Sequence, residues 1–264
     1  MASENDLLIT TGPATDHLDK CLLTSGCSFT RGAGLPKHED NNPRKNWSYF
    51  LGKKLNMDVV NLAKNGQGNS SSFRDILSIL YTESVDGIEY IIPQMVVLQL
   101  SMSSRTLRFD DIEQSWKVST LNQWESEYHP SHIADDYYKY LHSDYQTLYE
   151  TFTNILHIKS KCDLEGIGFY LFDGIMGLQE EFDALKLDKN PPAFENLNNL
   201  FTKIKDYNIL LYDGKYNWNH IKSDEIHFVE KFKEYWSNRE GEPKSGEWSL
   251  PCDHPSEESH EYMA

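Results

Sequence analysis

The residues best suited to chemistry stand near the two ends of the chain. Leu22-Leu23-Thr24-Ser25-Gly26-Cys27-Ser28-Phe29-Thr30 runs from an apolar stretch into a polar, glycine-bearing loop, Arg31-Gly32-Ala33-Gly34. A serine just past a strand and two residues after a glycine sits at the carboxyl edge of a sheet, where it acts either as a turn residue or as a nucleophile. At the other end, His254 precedes Pro255-Ser256 and a helix start with Glu257 and Glu258 in its first turn. Proline fixes φ and donates no backbone hydrogen bond, so the imidazole is presented from a rigid turn. Ser256 suits the cap and the two acids suit the positive end of the helix. A serine and an imidazole are the nucleophile and general base of acyl transfer once a fold closes the distance between them. His260 is a rival base, nearly two helical turns from the His-Pro corner.

Such a fold needs a strand ending at each motif. Five apolar runs, at 21–27, 58–63, 95–101, 166–173 and 209–213, alternate with stretches of helical spacing. That alternation predicts an α/β protein with a parallel sheet. Trp47, Phe50, Leu51 and Leu55 recur at helical intervals, and a second helix is expected from Asn69, Ser70, Ser71 and Ser72, whose side chains are good caps, through Phe73, Ile76, Leu77 and Leu80. The longest helical pattern covers 131–161. Residues 1–20 read as an N-terminal extension, and 21–264 as one domain carrying lid-like insertions at 102–130 and 214–250, both rich in Trp. Long connections at the carboxyl ends of parallel strands are where such sheets build their sites.

Composition narrows the field. The 264 residues are 39% hydrophobic and include 12 Phe, 6 Trp and 15 Tyr, enough for a sizeable core. Twenty-five basic against 41 acidic residues give a net charge of −16, the wrong sign for a nucleic acid or an anionic membrane surface. The charge therefore favours a small neutral partner over a polyanionic one, and the aromatic residues of the two insertions suit stacking on a glycan. The N-terminus shows no basic stretch followed by an apolar one, and no segment approaches the roughly 18 apolar residues of a membrane span. Cys21, Cys27, Cys162 and Cys252 form neither a disulfide framework nor a metal pattern. No cofactor or metal is expected, and the location reads as cytoplasmic. Cys27 and Cys252 flank the two motifs, which raises a redox-sensitive clasp beside their simpler role as small buried hydrophobes.

Taken in order, GCSFT after the first strand, NLAKNGQGN after the second, a polar turn after the third and DHPSEESH at the end resemble the SGNH (GDSL-type) hydrolase superfamily, especially its divergent members in tailed-phage genomes. The resemblance covers nearly the whole chain. It implies a three-layer α/β/α sandwich around a five-stranded parallel sheet, similar to flavodoxin, and esterase, lipase or deacetylase activity without a metal. For a phage-like member it also implies association with the virion as an alternative location. Ser28 is then the nucleophile, with its own backbone N–H as the first oxyanion donor. Gly66, in Asn65-Gly66-Gln67-Gly68-Asn69, matches the glycine whose N–H points at the oxyanion; read from the residues alone, the same stretch is equally a strand-to-helix turn. His254 is the base, and Asn69 caps the helix or contacts substrate.

Two blocks depart from the family pattern. The third usually reads Gly-x-Asn-Asp but here is Ser101-Met102-Ser103-Ser104, so the side-chain amide donor is replaced by the short Ser103 hydroxyl, with Gln99 and Ser101 as other substitutes. Arg105 follows as a candidate anchor for a substrate carboxylate or phosphate, or as a salt-bridge residue. In the last block the family's acid lies three residues before the histidine, a place held here by Pro251, and the nearest acid is Asp253, adjacent to His254. The leading expectation is a serine esterase or deacetylase working through an acyl-enzyme. The alternative is a weak or inactive SGNH-fold binding module, such as a glycan-recognising phage particle component.

Overall fold

The computed structural model describes residues 8–9, 17–32, 45–83, 90–101, 106–110, 115–119, 142–173, 178–185, 191–207, 209–210, 260–261 and 264. Its centre is a sheet of β1 (Leu8–Ile9), β2 (His17–Ser25), β3 (Asp58–Asn61), β4 (Tyr90–Leu100) and β7 (Gly168–Asp173), in the order β1-β3-β2-β4-β7. β3, β2, β4 and β7 run parallel, and only β1 is antiparallel. Counting the parallel strands alone, the order is 2-1-3-4, that of a flavodoxin-like sheet.

The five-stranded parallel sheet expected from the sequence is thus corrected to four among the described residues. At the fifth place a single parallel bridge joins Leu171 to Leu210, supported by the Leu171 N–H donating to the Ile209 carbonyl at 2.9 Å. β1 takes up the opposite edge, so residues before 21 contribute β1 and the start of β2 to the sheet. β4 begins well before residue 95 because Pro93 is accommodated inside it. The pairing with β2 shifts register on both sides of Cys21, which stands opposite Pro93; a proline that cannot donate to the ladder is tolerated at such an irregularity.

Helices cover both faces. α2 (Trp47–Leu55) lies on one, with Trp47 packing against Leu22, Val59, Val97 and Phe172. α3 (Asn69–Thr82), α4 (Asp144–Glu165), α5 (Leu178–Ala184) and α6 (Pro191–Asp206) cover the other, where Phe73, Ile76, Phe152, Leu197 and Phe201 meet Cys21, Leu23, Val60, Val96 and Leu98. Neighbours in each strand therefore face opposite layers, as the period-two geometry of a strand requires. Gly52 brings α2 onto the sheet, since a Cβ there would collide with the Val59 side chain. α4 starts at Ser143, whose side chain accepts the Gln146 N–H, and ends at Gly166 in the left-handed region. It covers the second half of the expected 131–161 helix; 131–141 lie outside the described residues.

The 102–130 insertion contains an antiparallel hairpin, β5 (Thr106–Asp110) with β6 (Ser115–Ser119). The 214–250 insertion lies outside the described residues. Among those described, no helix is long and apolar enough to cross a membrane.

Candidate active site

β2 delivers the first motif. Beyond Ser25 the chain passes through Gly26 and Cys27 into a single helical turn, α1 (Ser28–Arg31), closed by Gly32 in the left-handed region at φ 74°. Of residues 21–30, every one is buried except Ser28. Its N–H occupies the first helical position, which has no acceptor within the helix. Gly26 is required by close approach: a Cβ there would strike the Thr30 side chain and come within 2.9 Å of Gln99 Cβ.

A buried polar network holds this turn from below. The Thr30 hydroxyl donates to Gln99 Oε1 and accepts from Trp47 Nε1 at 3.2 Å. Gln99 Nε2 lies 3.7 Å from Cys27 Sγ. Asn61, at the end of β3, donates to the Thr30 carbonyl at 2.9 Å, and Asn46 donates to the Arg31 carbonyl at 3.4 Å. β3, β4 and α2 thus all converge on the four residues that present Ser28. Gln99 is consequently no substitute oxyanion donor: its amide is committed beneath the turn, a correction to its candidacy from sequence. Cys27 is a free, buried thiol, and Cys252 lies outside the described residues.

The second motif follows β3. Gly66 is half-buried with φ 73°, in the left-handed region that favours glycine. Gln67, fully buried, braces the turn: its Oε1 accepts the Lys64 N–H at 2.7 Å and its Nε2 donates to Ser71 Oγ and Asp75 Oδ2 at 3.3 and 3.0 Å. The cap of α3 is Gly68 and not one of the polar side chains after it. Asn69 falls inside the first turn, where its Oδ1 accepts the Ser101 N–H at 2.7 Å. That bond joins the second motif to the first residue beyond β4.

Ser103, Arg105, Asp253 and His254 lie outside the described residues. His260 does not. It is fully buried, and its Nδ1 accepts the N–H of Trp47, the first residue of α2, at 3.1 Å. Together with the Asn46 side chain, which accepts the Tyr49 N–H at 3.0 Å, it satisfies the amino end of that helix. This turns the rival base into a docking residue and seats the end of the chain against α2, whose Trp47 indole also reaches Thr30. His254 precedes His260 by six residues, a span of at most about 20 Å even when fully extended.

Asp173, at the end of β7 and level with Leu100 of β4, was not singled out by sequence reasoning. It is 1% exposed, and its Oδ1 accepts the Leu178 N–H at 3.1 Å. Desolvation pushes its pKa up to about 7, against the lowering effect of that bond, with Glu181 and Glu180 adding to the rise. The only signal in the sequence is an acid directly after Gly168-Phe169-Tyr170-Leu171-Phe172, which marks a strand end but says nothing of burial.

No family model and no curated protein matches this chain. Among solved structures it is similar to TesA, at 14% identity over 92% of this chain and 93% of that one, with a TM-score of 0.37. It is also similar to a lipolytic protein of the G-D-S-L family from Desulfitobacterium hafniense, at 14% identity over 93% and 95% with a TM-score of 0.39. A third is the psychrotrophic esterase EstA from Pseudoalteromonas sp., at 13% identity over 93% and 92% with a TM-score of 0.39.

Proposed function

We propose that the chain is a serine hydrolase of SGNH type that cleaves an ester or acetyl group from a small acylated or glycan substrate. The observation that carries this reading is that Ser28 alone is partly open to solvent in an otherwise buried ten-residue run, on a turn braced by three elements at the carboxyl edge of the sheet. His254 accepts the hydroxyl proton as Ser28 Oγ attacks the carbonyl carbon. The N–H groups of Ser28 and Gly66 stabilise the oxyanion, with Ser103 beside them. Collapse expels the alcohol, protonated by His254, and leaves an acyl-serine. Water, deprotonated by His254, then releases the acid and restores the hydroxyl. Asp253 orients the imidazole, and Arg105 contacts substrate. A net charge of −16 favours a neutral substrate over a polyanionic one.

A fluorophosphonate probe tests the assignment, because it reacts with an activated serine and leaves unactivated serine hydroxyls untouched. The wild-type protein is expected to label, and Ser28→Ala and His254→Ala are expected not to. Labelling that survives Ser28→Ala would place the nucleophile elsewhere, and no labelling of the wild-type protein would favour a binding module on the same fold.

A further inference from the structure

Asn69 uses only one arm of its amide. The side chain is 2% exposed, and its Oδ1 accepts the Ser101 N–H at 2.7 Å. A backbone N–H can only donate, so this bond determines which arm of the amide is oxygen and which is nitrogen. The nitrogen, Nδ2, is buried and has no acceptor. Buried polar atoms are paired in the great majority of cases, and one left over at a catalytic edge points to an acceptor that arrives with a ligand.

Its position in the fold agrees. Asn69 lies three residues beyond Gly66 and grips the first residue after β4, so it stands between the second and third motifs. It belongs to the first turn of α3, a 14-residue helix whose Gly68 cap has no side chain and whose first turn holds no acid. The positive end of that helix dipole favours a negatively charged atom. Two other candidates are engaged elsewhere: Gln99 sits beneath the turn that carries Ser28, and the Ser101 N–H is held by Asn69 itself.

We propose that Asn69 Nδ2 donates a side-chain hydrogen bond to the oxyanion, doing with a full amide what the third motif of this chain, with Ser103 where an asparagine is usual, is less well equipped to do. This rests on the reading of Ser28 as nucleophile. As Ser28 Oγ adds to the carbonyl carbon, the carbonyl oxygen gains a full charge, and a neutral donor already held in place by Ser101 needs no reorganisation to meet it. The donor then acts on the transition state far more than on bound substrate, so its loss lowers kcat and leaves KM nearly unchanged.

Asn69→Asp separates donation from packing, since it keeps an oxygen for the Ser101 N–H and removes the N–H2. Asn69→Ala removes both. With p-nitrophenyl acetate as probe, both variants are expected to lose about 10²–10³ in kcat per folded molecule below their melting transitions, with KM within about threefold. Phenylboronic acid, whose tetrahedral serine adduct carries the oxyanion, is expected to inhibit more weakly by a similar factor. Asn69→Ala should lower Tm at every pH, and Asn69→Asp chiefly above the pH at which its buried carboxyl ionises. Asn69→Asp with kcat and boronate inhibition near wild type would overturn the donor role while leaving Ser28 in place, as would a rise in KM at unchanged kcat. Wild-type protein without Ser28-dependent turnover or labelling would overturn the hydrolase reading and this assignment with it.

Discussion

Replacing Asp173 by Asn should change how stability responds to pH, in a direction and by an amount that follow from its burial. In the unfolded chain this carboxyl titrates near 3.8, and in the folded protein burial raises it to about 7. Between those values the native state holds a proton that the unfolded state has released, so stability falls as pH rises through the window and is level on either side of it. At 1.36 kcal/mol for each tenfold change in proton affinity, the whole window is worth at most about 4 kcal/mol, of which about 2 kcal/mol is lost between pH 5.5 and 7. Asparagine resembles the protonated acid: its Oδ1 can still accept the Leu178 N–H, and it carries no charge to desolvate. The variant should therefore match the wild type near pH 4, exceed it by about 2 kcal/mol at pH 5.5, and by up to about 4 kcal/mol at pH 8. Urea unfolding followed by tryptophan fluorescence at pH 5.5 and 8 measures this, provided that m is unchanged. Titration of the other acids and histidines is common to both proteins, so the gap between them is the diagnostic quantity. Parallel pH profiles, with a gap that grows by less than about 0.5 kcal/mol from pH 5.5 to 8, would refute burial as the cause.

Two further substitutions test how the turn that carries Ser28 is held. Gly26→Ala introduces a Cβ against Thr30 and Gln99; it should cost about 1–3 kcal/mol, read as a lower urea midpoint, and slow fluorophosphonate labelling of the folded protein as the turn shifts. A variant that labels at the wild-type rate would show that this contact does not set the position of Ser28. His260→Ala leaves the buried Trp47 N–H without its acceptor and should cost about 1–3 kcal/mol while reducing labelling, because the segment that carries His254 loses its docking point. His260→Asn, whose Oδ1 can stand near the place of Nδ1, should recover part of both. Recovery of stability without labelling would separate helix capping from the role proposed for His254.

Much of the architecture was legible because it is written in local patterns. Apolar runs marked β2, β3, β4 and β7; helical spacing bounded α2 at Trp47 and Leu55; and Gly26, Cys27 and Ser28 after an apolar run announced a strand-to-helix turn. Each of these depends on backbone preferences and on periodicity within a dozen residues. Where expectation and structure diverge, the deciding contact is distant. Pro93 concealed the first half of β4 because only pairing with β2 shows that a bulge absorbs it. Asn69 read as a cap or a substrate contact, yet the partner of its Oδ1 is Ser101, far along the chain and just beyond β4. Gln99 read as a possible oxyanion donor until Thr30 and Cys27 engaged its amide, and His260 read as a base until Trp47 engaged its imidazole. Residue types and spacing alone determined an acidic chain with a serine just past an apolar run, a histidine just before a proline, and elements suited to a doubly wound sheet. Only the tertiary structure decided which polar groups are already satisfied, because hydrogen bonds between residues far apart in sequence leave no periodic trace and arise when strands and helices are brought together.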